Sequence, residues 1–118
     1  FEWVVKAFNE HQKQTLKALM SSEVYEDFRE AIDEREALGT KTETTLVSIQ
    51  KADIVGAELE RSTARITVRF VTEQIQVERD KDGAILSGDP SFIHTIEDEW
   101  VFERSVKSRN PNWTIVST

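Results

Sequence analysis

Apolar residues recur at helical spacing over roughly the first third of the chain and at every second position beyond it. Phe1, Val4, Val5 and Phe8 fall on one face of a 3.6-residue period, so the first ten residues predict a short amphipathic helix. His11 separates it from a second short helix that ends at Leu16, Leu19 and Met20. Ser22 is the expected N-cap of a third helix, with Glu23, Glu26 and Asp27 placed favourably for the helix dipole. Its apolar stripe is Val24, Tyr25, Phe28, Ala31 and Ile32, and Gly39 after Leu38 is the residue expected to terminate it.

From Thr42 the period changes to two and β-branched residues become frequent. The alternation predicts strands over Thr44–Leu59, Ala64–Arg79, Ile93–Arg104 and Trp113–Val116. Asp82-Gly83 marks a turn in the connection from Asp80 to Pro90, and Asn110-Pro111-Asn112 interrupts the last one. Helices followed by a meander of strands give an α+β fold, with the helices on one face of a curved, four-stranded antiparallel sheet. No repeat or linker divides the chain, so residues 1–118 are expected to form a single domain. The chain begins at Phe1. We expect it to be the C-terminal part of a longer protein.

Pairing the first two strands about the Glu60–Thr63 turn sets Ile54 opposite Val68 and Ala52 opposite Phe70. Pairing the second and third is expected to set Phe70 opposite Trp100 and Val68 opposite Phe102. Phe28, Ile32, Val68, Phe70, Trp100 and Phe102 are thereby expected to line the core or a pocket between helices and sheet. Farther along, the apolar positions turn odd: Val47, Ile49, Ile75, Val77 and Ile93. Two outcomes are open. Bulges bend both strands together, or Val47, Ile75, Val77 and Ile93 form an apolar patch on the second face that binds a partner.

Composition narrows the chemistry. The net charge of −7 disfavours a nucleic-acid backbone as partner, and the absence of cysteine removes disulfides, thiolate metal sites and thiol nucleophiles. Two histidines cannot form a three-histidine metal site, no glycine-rich phosphate loop is present, and no cofactor is expected. Asp98 is the one candidate acid/base. Its parity puts it between Ile96 and Trp100 on the apolar face, where desolvation would raise its pKa. His94 shares that face, but four residues along a strand is about 13 Å, too far for a dyad. The expectation is therefore a structural Asp98, held by a basic residue or backbone amides. Arg104, Lys107 and Arg109 surround the last loop and read as a solvated surface.

The run from Asp98 to Arg104, followed by Ser108-Arg109-Asn110-Pro111-Asn112-Trp113, resembles the end of a known domain. It is similar to the C-terminal domain of subunit 44 of the mitochondrial inner-membrane translocase and its alphaproteobacterial relatives. Phe1 to Phe8, Ser22 to Phe28, Arg35-Glu36, Leu46 to Ile49 and Gly88-Asp89-Pro90 agree in order and spacing, so the resemblance covers nearly the whole chain. It implies a cone of the nuclear-transport-factor-two type with an apolar pocket. It also implies a non-enzymatic domain that binds a membrane protein complex, a hydrophobic polypeptide segment or lipid, with a homo-oligomer as a further option. The implied location is a bacterial inner membrane, through an N-terminal anchor, or alternatively the matrix side of the mitochondrial inner membrane. The competing reading is a small-molecule enzyme or ligand-binding protein that uses the cone pocket, with Asp98 as acid/base.

Overall fold

The computed structural model describes residues 1–118. Three helices come first: α1 (Glu2–Asn9), α2 (Lys13–Leu19) and α3 (Ser22–Leu38). Five antiparallel strands follow: β1 (Lys41–Glu60), β2 (Thr63–Arg79), β3 (Ile85–Ser87), β4 (His94–Ser105) and β5 (Thr114–Ser117). Their order in the sheet is β1-β2-β4-β5, with β3 attached to β2. The fold is α+β with the helices on one side of the sheet, as the pattern predicts.

Local signals explain the helix ends. The N-cap of α3 is Ser21, one residue before the expected Ser22, and its hydroxyl accepts the Val24 N–H at 3.4 Å. Gly39 ends the helix at φ 71°, a left-handed conformation that costs glycine little. The helical stripes then meet the sheet. Val4, Ala7, Leu16, Met20, Val24 and Ile32 pack with Phe70, Trp100 and Ile115 into the main core, and Phe28, Val68 and Phe102 lie against it.

The register of β1 on β2 is as expected, with Ile54 opposite Val68 and Ala52 opposite Phe70. That of β2 on β4 differs from the expectation by two residues. Phe70 faces Asp98, Val68 faces Trp100 and Ile66 faces Phe102. A two-residue slip leaves every side chain on its own face, so apolar parity cannot detect it. Charge on the other face can. The observed register sets Arg65 opposite Glu103 at 2.8 Å and Arg69 opposite Glu99 at 3.1 Å. The expected one would set both arginines against uncharged residues.

The parity change also resolves differently from either simple alternative. β1 carries three irregularities, which leave Val47, Gln50 and Val55 without partners on β2. β2 pairs with β4 without interruption from Thr63 to Gln74. Bulges therefore bend β1 alone, not both strands together. Beyond the expected four strands, the connection from Asp80 to Pro90 supplies the short β3. Gly88 lets it close on β2: at φ 87°, a β-carbon there would stand 2.3 Å from the Gln76 carbonyl oxygen.

The molecule is elongated, 51 × 30 × 17 Å, with a radius of gyration of 16.0 Å. A compact chain of this length would have roughly 13–14 Å. The excess comes from the β1–β2 hairpin, which runs past the end of the helical layer.

Candidate binding site

Two features on the helix-facing side of the sheet are open to solvent. The first is an open cavity of about 500 Å³ between helices and sheet. Phe1, Val5 and Phe8 of α1 and Phe28 and Arg35 of α3 form one wall. The opposite wall is β1, β2 and β4, through Thr44, Gln74, Gln76, His94, Asp98 and Trp100. Alternation brings the strand residues together, because Gln74 lies opposite His94 and Phe70 opposite Asp98 on the face that holds Trp100.

One end of this cavity is aromatic. Phe1 stacks 4.8 Å from both Phe70 and Trp100, and Phe8 meets Phe28 edge-on at 5.3 Å. The floor is polar. Gln76 donates to the Gln74 side-chain oxygen at 3.2 Å, and Gln74 donates to the Thr72 hydroxyl at 2.8 Å. Thr72 and Gln74 are buried, so this ladder satisfies groups that would otherwise be costly to bury. Arg35 lies over the Phe8 ring at 4.8 Å, and one of its terminal nitrogens is closed to solvent without an acceptor.

Asp98 departs from its expected setting. It lines the cavity, and neither a basic residue nor a backbone amide holds it. Burial alone pushes its carboxyl above the usual carboxylate range. His94 lines the same cavity and packs edge-on against Phe92 at 4.6 Å. No group of three or more His, Cys, Asp or Glu side chains is arranged to hold a metal.

The second feature is the end of the hairpin. On the helix-facing side, Ala52, Ile54, Ala57 and Leu59 of β1 stand opposite Phe70, Val68, Ile66 and Ala64 of β2. Every one of these is apolar. Phe70 is covered by the helices and 8% exposed, whereas Ile54 and Leu59 are 66% and 67% exposed. The reverse face carries the Arg65–Glu103 and Arg69–Glu99 pairs. The sequence pattern contained this face, but the absence of a covering helix could not be read from it.

Of the residues expected to line core or pocket, Ile32, Phe70 and Trp100 are buried, while Phe28, Val68 and Phe102 pack around them. The four second-face residues are not one exposed patch. Val77 is 4% exposed and so is closed to a partner, and Ile75 is half-buried. Val47 is 45% exposed, sits at a bulge and lines a groove beside α1. Ile93 remains 46% exposed beside the start of β4. The basic loop is internally engaged, because Arg104 donates to the Asn110 and Ser108 carbonyls at 3.2 and 3.5 Å.

A family model described as Tim44-like domain matches residues 1–118. The chain belongs to the Tim44-like domain family. Among curated proteins, the mitochondrial import inner membrane translocase subunit TIM44-1 of Arabidopsis thaliana is 27% identical over 101 residues, which is 86% of this chain. The Tim44-like domain spans about a fifth of that relative, 21% of its length. Among solved structures, the intermembrane space region of chloroplast protein ARC6 superposes with a TM-score of 0.57 at 15% identity. The match covers 96% of this chain and 81% of that one, and it supports the fold alone. No helix is long and apolar enough to cross a membrane.

Proposed function

We propose that this Tim44-like domain is a non-catalytic binding module of a protein-transport assembly at an inner membrane, and that the uncovered end of its sheet grips a hydrophobic polypeptide segment. The observation that carries this reading is the continuous apolar face at the hairpin's end, on which Ile54 and Leu59 are about two-thirds exposed, backed by a charged reverse face. Isolated exposed apolar residues are ordinary, whereas a contiguous exposed face usually serves an interaction. The relative's role as an import translocase subunit agrees with a polypeptide partner. The membrane is bacterial in the preferred form of this reading and mitochondrial in the other, with the anchor in chain N-terminal to Phe1.

The test is a photo-crosslinker at Ala57 of the full-length protein in native membranes, with and without Ile54→Asp and Leu59→Asp together. Crosslinks to a polypeptide that vanish in the folded double variant support the proposal. Crosslinks only to lipid, or only to a second copy, assign the face to a different partner. An unchanged polypeptide crosslink in the double variant refutes it.

Asp98 supports a second reading, in which the cavity is itself a ligand site. An unpaired carboxylate beside aromatic rings, in a space of about 500 Å³, is what a binding pocket of moderate size offers. Binding suits it better than catalysis, since no partner orients Asp98 as an acid or base.

A further inference from the structure

Strand β1 stands at the edge of the sheet, with β2 on one side and no strand on the other. An open edge is a row of backbone donors and acceptors that another chain can extend. At Thr44 the protein fills this row itself. The Asn9 side chain donates to the Thr44 carbonyl at 2.7 Å and accepts its N–H at 3.0 Å, as a neighbouring strand would. Farther along, bulges at Val47, Gln50 and Val55 break the edge into short runs. Beyond the last of them, residues 56–60 pair regularly with residues 63–67 of β2, and no other backbone group of the protein bonds to them.

This open run has two unlike faces. Ala57 and Leu59 belong to the exposed apolar face, whereas Glu58 and Glu60 alternate with them onto the reverse face. There Arg65 lies between Glu58 and Glu103, and Arg69 between Asp53 and Glu99. Each arginine is bonded to its β4 glutamate, which leaves Asp53, Glu58 and Glu60 without an ion pair. Lys51 lies on the far side of the Val55 bulge, and Arg61 stands in the turn past the strand's end. A strand laid against residues 56–60 would continue both faces, because its own side chains alternate in the same way. Apolar side chains would extend the face of Ala57 and Leu59, and cations would answer Glu58 and Glu60.

We infer that residues 56–60 of β1 bind a short extended polypeptide segment by strand addition, and that apolar and basic residues alternate along this segment. This rests on the reading of the hairpin's end as a polypeptide-binding face and goes beyond it in naming the backbone mode and the charge of the partner. The bulges limit the added strand to a few residues, which suits a segment that is held and then released.

The probe is a capped heptapeptide in which valine and lysine alternate, titrated into the domain at low salt and followed by the anisotropy of a terminal dye. Comparison peptides carry glutamate in place of lysine, or a methyl group on every backbone nitrogen. The lysine peptide is expected to bind at least about tenfold more tightly than either comparison and to slow amide exchange in residues 56–60. Glu58→Gln with Glu60→Gln should weaken it about fivefold and leave the melting temperature unchanged, since both side chains are exposed. Equal binding of the methylated peptide overturns strand addition and leaves the apolar grip standing. Equal binding of the glutamate peptide, or full affinity for the lysine peptide in the double variant, overturns the basic preference. Protection of residues 56–60 that rises with domain concentration in the absence of peptide assigns the edge to a second copy and also overturns the inference. If no peptide binds, the inference falls, and the crosslink from Ala57 decides the wider reading on its own.

Discussion

The two ends of one sheet face both carry large apolar side chains and differ in environment. At one end Phe70 and Trp100 are 8% and 6% exposed under the helices; at the other Ile54 and Leu59 are 66% and 67% exposed. Both ends alternate apolar residues on the same side, so strand patterning does not distinguish them. What differs is the reach of the helical layer. A stripe of side chains becomes core only where another element covers it, and α1 to α3 stop short of the hairpin's end. The apolar surface that remains is the one on which the proposed binding role rests.

The largest expected effect tests that contrast directly. Trp100→Ala should destabilise the domain by about 3–5 kcal/mol, since it removes a buried ring packed on Phe1 and Phe70. Ile54→Ala at the other end should change stability by less than about 0.5 kcal/mol. Urea denaturation of both variants measures the difference. Similar losses would mean that the hairpin's end is covered in solution.

Gly88→Ala asks how firmly β3 closes on β2. The new methyl group would meet the Gln76 carbonyl oxygen in a left-handed backbone conformation. A loss of about 1–3 kcal/mol is expected, together with faster amide exchange over Ile85–Ser87. Unchanged exchange would show that β3 does not depend on this close approach.

Asp98→Asn examines the polar part of the covered end. Burial raises the folded-state pKa of Asp98 above its unfolded value. Between the two values the native state holds more protons, so stability is greatest below the unfolded pKa and falls as pH rises through the folded one. The amide cannot ionise, so the variant should lose this decline and become the more stable protein at neutral pH. Thermal melts across the acid range provide the measurement, and parallel curves for the two proteins would contradict a desolvated carboxylate.

The smallest expected effect concerns the register. Arg65 and Glu103 lie directly opposite each other on the exposed face, and their coupling in a double-mutant cycle should be about 0.2–1 kcal/mol. No coupling would favour the register slipped by two residues, in which Arg65 faces Ser105.

The sequence by itself determined the three helices, the long strands, their order and the α+β class, because periodicity and caps act within a few residues. It also determined which strand residues share a face, and the resemblance of its motifs was sufficient to identify the family. The slip between β2 and β4 escaped because moving a strand by two residues leaves every side chain on the same face. That bulges bend β1 alone was not decided, because an odd-numbered apolar run is compatible with a bend or with a second apolar face. Val77, buried rather than free, and Asp98, unpaired rather than bridged, were set by residues distant in the chain. So was the exposure of Ile54 and Leu59. An apolar residue on a strand specifies which face it takes; whether that face is core or surface depends on where the helices end in space, which only the tertiary structure decides.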